Sequence, residues 1–135
     1  MSRRLAREVA LRTLFQLESG HVQREAAFAF ALDTTPISPD LEPFSLQLVD
    51  DALKYQPESD QIIRVKSVDW DIDRLARVDR AILRLALGEL LASTGMPTGV
   101  IINEAVELAK KYSTEESGKF INGILGNVVR ERQNA

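Results

Sequence analysis

The sequence predicts an all-α protein, a compact bundle of about seven helices, and three observations carry that prediction. Apolar residues recur at the 3.6-residue helical period along most of the chain. The breaks between periodic segments are Gly-, Pro- and Ser-containing turns. No segment shows the two-residue alternation of a half-buried strand. At 135 residues the chain suits a single domain, residues 1–135, burying roughly two-thirds of the surface it exposes when unfolded.

The first helix is expected over Arg3–Ser19, where Ala6, Val9, Ala10, Thr13, Leu14 and Leu17 share a face, Ser2 caps the start and Gly20 stops it. Arg7, Leu11 and Phe15 form a second line at four-residue spacing, an apolar strip left to cover. Residues 22–32 make a short Ala/Phe-rich helix, and the Pro-containing stretch 33–40 is a connector. Leu41–Tyr55 is helical with Phe44, Leu48, Val49, Ala52 and Leu53 facing in, and Pro57 opens a further short helix carrying Ile62, Ile63 and Val65.

Residues 67–71 read as a turn, with Asp71 or Asp73 capping a central helix over Leu75–Leu91 and Trp70 packed at its start. Leu75, Val78, Ile82, Leu85, Ala86 and Leu90 line one side of that helix, and Leu83, Leu87 and Leu91 widen it. Arg77, Arg80, Arg84 and Gly88 are its one polar strip. After a turn-rich break at 92–99, the stretch Pro97–Val129 predicts two helices joined by a polar elbow, Tyr112–Gly118. Ser113 and Glu116 have capping-box spacing there. Gly118, Gly123 and Gly126 in the last helix point to close packing or an approaching ligand, since each is unfavourable by about 1 kcal/mol relative to Ala.

Composition narrows the function. With no cysteine and a single histidine, His21, there is no disulfide framework, thiolate nucleophile or Cys/His metal cluster, so no metal or cofactor is expected. No apolar run approaches 18 residues and the N-terminus is interrupted by Arg7, Glu8 and Arg12, so a cytoplasmic protein without membrane contact is expected. The acids at 69, 71 and 73 lie in a presumed turn and assemble no convergent acid–base site, and no phosphate-loop pattern is present, so no enzymatic activity is expected.

Net charge is −3 but unevenly spread: residues 1–24 hold five Arg against two Glu, residues 110–135 five Lys/Arg against three Glu, and residues 33–60 seven acids against Lys54. Ends that meet in the fold would make a basic face on an acidic protein. Arg3, Arg4 and Arg7 on one helix, with Lys110, Lys111 and Lys119 around the elbow, supply phosphate attraction. Phe120 beside Lys119 offers a ring for an unpaired base, and Ser117 and Asn122 offer small polar contacts. Solvated helix ends, a core phenylalanine and helix capping are the competing readings of the same residues.

Three segments in order resemble the NusB family of bacterial transcription antitermination factors: RRLAREVALRTLFQ at 3–16, RLARVDRAILRLALGELL at 74–91 and INEAVELAKKYSTEESGKFINGIL at 102–125. The resemblance implies two packed three-helix-like bundles that bind single-stranded boxA RNA together with NusE, a ribosomal small-subunit protein, in complexes on RNA polymerase transcribing ribosomal RNA operons. Carried over by position, it places Arg4, Arg7, Glu116, Lys119 and Phe120 near RNA, and Phe15, Asp79, Arg80 and Leu83 toward NusE. Two positions depart from the family pattern: Phe15 stands where tyrosine can occur, and Gly88 where an aromatic often precedes Glu-Leu. The alternatives are a homodimer or larger scaffold built on the Arg7–Leu11–Phe15 strip, and a helix-turn-helix DNA-binding regulator. An RNA methyltransferase, the remaining alternative, would need a further catalytic domain.

Overall fold

The computed structural model describes residues 3–67 and 71–134. Among them, seven α-helices and two single 3-10 turns account for the regular structure, with no strand. The helices are α1 (Arg3–Leu17), α2 (Arg24–Thr34), α3 (Glu42–Lys54), α4 (Gln56–Lys66), α5 (Arg77–Ala92), α6 (Thr98–Tyr112) and α7 (Glu115–Gln133). Helix α5 is the axis: α1, α3, α4, α6 and α7 all pack on it, while α2 lies on α1 and α7 on α6.

The helical periodicity locates the core correctly. Leu14, Val49, Ile63, Ile82, Leu83, Leu87, Ile121 and Leu125 are completely buried, and one continuous cluster runs from α1 through α5 to α7. A smaller cluster, Val9 with Phe28 and Ala31, fastens α2 to α1. Gly20, at φ +80°, ends the turn after α1 as expected. Leu53, expected inside, is exposed, as is Val65 on α4.

Helix boundaries shift where local hydrogen bonding decides them. Asp71 accepts from the Asp73 N–H at 3.1 Å and so caps the 3-10 turn 72–74, not α5, which begins only at Arg77. The expected caps and contacts of Ser2, Asp69 and Trp70 lie outside the described residues. The elbow is shorter than expected: α6 ends at Tyr112 and α7 begins at Glu115, leaving Ser113 and Thr114 as the link. The cap of α7 is Thr114, whose Oγ1 accepts from the Ser117 N–H at 2.9 Å, in place of a Ser113–Glu116 box.

Along the polar strip of α5 only Arg77 is exposed; Arg80 and Arg84 are half-buried and Gly88 is buried. Arg84 donates to Asp60 of α4, with both contacts at 2.8 Å, and to Glu18 beyond α1. Burial pulls the Arg84 pKa down, but the hydrogen bonds to Asp60 and Glu18 outweigh it and raise the pKa above its ordinary value. Gly88 is buried where α5 crosses α3, and a Cβ there would stand 2.8 Å from the backbone N and Cα of Ala52. The missing aromatic is thus a packing change: α3 occupies the space directly over residue 88.

Candidate nucleic-acid interface

Side chains of α1 meet those of α6, including Lys111 and Tyr112 at its end. Arg4 binds Glu104 with Nη2–Oε2 at 2.9 Å, Lys111 donates to Glu8 at 2.8 Å, and the Tyr112 hydroxyl donates to the same Glu8. Arg12 lies over the Tyr112 ring, 5.2 Å from its centroid. A hydrogen bond and charge attraction from Glu104 raise the Arg4 pKa, and Glu8 does the same for Lys111. Burial and then the bond to Glu8 raise the Tyr112 phenol. The face is therefore cationic but interleaved with acids. Glu8 and Glu104, which sequence reasoning missed as partners, hold its cations in place.

Arg7 is a correction. Its side chain is 5 % exposed and paired in both arms with Glu89, itself 1 % exposed, through Nη1–Oε1 and Nη2–Oε2. The guanidinium bridges α1 to α5 inside the bundle, with little of it left accessible. A signal existed: Glu89 interrupts the run Leu85–Leu91, and a carboxylate at a core position needs a buried cation. Leu11 of the same strip is 2 % exposed, so only Phe15 of the three reaches the surface. Leu83 is fully buried and cannot form part of a partner surface.

The remaining expected RNA residues lie on accessible surface. Arg3 is exposed with its guanidinium 4.7 Å from the Phe44 ring centroid. Lys110, Glu116, Lys119 and Asn122 are exposed, with Lys119 3.7 Å from Glu116 one turn earlier. Phe120 is half-buried: it packs on the core and also lines a cleft with Arg74, Leu75, Ala76, Asp79, Glu116 and Ser117. Close packing does not account for these glycines of α7: a Cβ at buried Gly118 would meet Val106 and Lys110 at ordinary van der Waals distance, and Gly123 faces open space.

Two residues expected at different surfaces prove to be neighbours. Ser117 donates to Asp79 Oδ2 at 2.7 Å, and the Ser113 and Thr114 hydroxyls gather around Ser117 at 2.9 and 3.0 Å. Asp79 is buried and turned toward the start of α7. Arg80 is half-buried and gives Nη1 to the Ile72 carbonyl at 3.4 Å. Phe15 lies beside a groove of about 300 Å³ lined by Leu11, Arg12, Phe30, Val78 and Tyr112, with Arg77 stacked 4.6 Å over its ring. Phe30, which sequence reasoning assigned to no surface, is 60 % exposed there.

A helical bundle that sets exposed cations and a half-exposed phenylalanine around a tight elbow has the form of a nucleic-acid-binding module. The chain belongs to the NusB family, whose model matches residues 4–130. It is 44 % identical to the transcription antitermination protein NusB of an Exiguobacterium strain, over 97 % of this chain and 99 % of that one. It is 42 % identical to the protein of that name from Bacillus subtilis, over 95 % of each. Among solved structures, T. maritima NusB superposes with a TM-score of 0.85 at 35 % identity, covering 97 % of this chain and 92 % of that one. The NusB chain of a complex of antitermination factors NusB and NusE with double-stranded RNA does so with a TM-score of 0.84 at 31 % identity, covering 96 % of each.

Proposed function

We propose that this chain is a non-enzymatic adaptor of transcription antitermination that binds boxA-type single-stranded RNA together with NusE, in the cytoplasm, on RNA polymerase transcribing ribosomal RNA operons. The observation that carries the RNA part is the juxtaposition of exposed Lys119 and half-buried Phe120 on the first turns of α7, beside an open cleft. Lys110, Lys111, Arg3 and Arg4 extend the cationic track, Ser117 and Asn122 supply polar contacts, and Glu116 stands at its edge. Phosphates are held by the cations, and a base stacks on the phenylalanine.

NusE is assigned to the groove beside Phe15. An exposed pair of phenylalanines beside Val78 suits an apolar side chain of the partner, and Arg77 and Arg12 suit a flanking carboxylate. The adaptor works by assembly: one face holds RNA, another holds the ribosomal protein, and no bond is made or broken. Residues 1–135 act as one unit, because α5 touches helices of both halves.

The test is a titration of boxA-type RNA with the protein alone and with NusE, beside a scrambled RNA and a duplex DNA. Selective binding that tightens when NusE is added is the expected result. Equal binding of all three probes, or no effect of NusE, refutes the adaptor reading.

A further inference from the structure

The cleft between the starts of α5 and α7 holds an unexplained acceptor. Asp79 is 8 % exposed, and while Oδ2 accepts from Ser117, Oδ1 is buried and no described protein group donates to it. A buried carboxylate oxygen without a donor is costly, and no described protein group relieves it. The cleft that Asp79 lines has a volume of about 290 Å³, open to the surface and large enough for one nucleobase. Leu75, Ala76 and Phe120 give it apolar walls that suit a flat ring.

We propose that this cleft receives one unstacked RNA base that carries an amino group on its edge, and that the amine donates to the Asp79 carboxylate. The inference rests on the RNA-binding reading and specifies what that site selects. Adenine, cytosine and guanine each present an exocyclic amine; uracil presents a carbonyl oxygen in the corresponding place, which a carboxylate repels.

Charge sets the polarity of entry. Asp79 and Glu116 exclude a phosphate from the interior, whereas Arg74 at one rim and Lys119 beside the other are placed for the flanking phosphates. The base points in and the backbone stays out, as a splayed single strand allows and a duplex does not. Ser117 acts as a positioning residue, because its hydroxyl fixes the plane of the carboxylate from the first turn of α7.

The experiment uses the full chain and a boxA-type RNA in which, one position at a time, adenosine is replaced by purine riboside, cytidine by 2-pyrimidinone riboside and guanosine by inosine. Binding is read by fluorescence anisotropy at fixed salt. One position is expected at which loss of the amine weakens binding roughly ten-fold, the effect of removing a donor to a charged acceptor. Asp79→Asn, which keeps shape while turning an amide N–H into the cleft, reverses the preference there toward a carbonyl-bearing base. Asp79→Ser, checked for a native melting curve, abolishes the discrimination without reversing it. Unmodified RNA that binds while every amine-less RNA binds equally well overturns the inference and leaves the RNA reading standing. Failure of any RNA to bind overturns both.

Discussion

Replacing Arg7 by alanine tests whether this arginine is architecture or interface. The structure places its guanidinium at 5 % exposure against a carboxylate at 1 %, with two parallel contacts. Removing the cation leaves Glu89 buried without a partner, a change that costs about 3–5 kcal/mol, more than the net worth of the pair. For a domain of this size, that loss lowers the melting temperature by roughly 10–20 °C. It moves the urea midpoint down by roughly 2 M. Removing both charges together, Arg7→Met with Glu89→Leu, leaves two apolar side chains of similar volume and should restore stability to within about 1 kcal/mol of the starting protein. The assay is urea unfolding followed by circular dichroism on the two single variants and the double, closed as a cycle. RNA affinity of the double variant, measured where it is fully folded, is expected to match the parent within about two-fold, since the pair is almost fully buried. An Arg7→Ala protein of unchanged stability, or a stable double variant that no longer binds RNA, refutes the assignment.

Further perturbations follow from the same contacts. Gly88→Ala gains about 1 kcal/mol of helix propensity but drives a Cβ to 2.8 Å from the Ala52 backbone, where overpacking costs about 1–3 kcal/mol, so a net loss is expected in thermal unfolding; a stabilised variant would mean α3 and α5 are not in contact there. Phe120→Ala is expected to lose RNA affinity by roughly ten-fold and stability by about 1–2 kcal/mol, the intermediate value reflecting its half-buried ring. Lys119→Ala should weaken RNA binding and reduce the slope of log affinity against log salt by about one phosphate contact, and an unchanged slope would remove it from the interface. Alkaline titration reads the Glu8 cluster. Lys111 and Tyr112 both have folded pKa values raised above their ordinary 10.5 and 10.0, so their contribution is present below about pH 10 and lost as pH rises through the raised values. Glu8→Gln should flatten the fall in melting temperature between roughly pH 9 and 11, and an equally steep fall would show that Glu8 does not set these pKa values.

The amphipathic stripes of α1, α5, α6 and α7 were legible because a 3.6-residue period is a local property, and burying that stripe is the only stable outcome for a bundle this size. The elbow lysines were legible as a surface for the same reason: they fall off the apolar stripe. Phe120 was not, because it lies on that stripe four residues before Ile124, and only the family resemblance singled it out. Charge pairing was not legible. Arg3, Arg4 and Arg7 look alike in a window of seven residues, yet Arg7 finds Glu89 across the bundle, Arg4 finds Glu104, and Arg3 stacks on Phe44. Those partners lie tens of residues away in the chain, and no local pattern encodes the meeting.

What the sequence by itself determined about this protein is the helical class, the core faces and the cationic elbow, because these depend on spacing within a few residues. Only the tertiary structure decided which arginine is interior, that α3 sits over Gly88, and that Asp79 and Ser117 share a hydrogen bond at the edge of one cleft. Each of those turns on the relative placement of helices that are remote in sequence, where a rotation of one helix by a single residue, about 100°, exchanges a buried side chain for an exposed one.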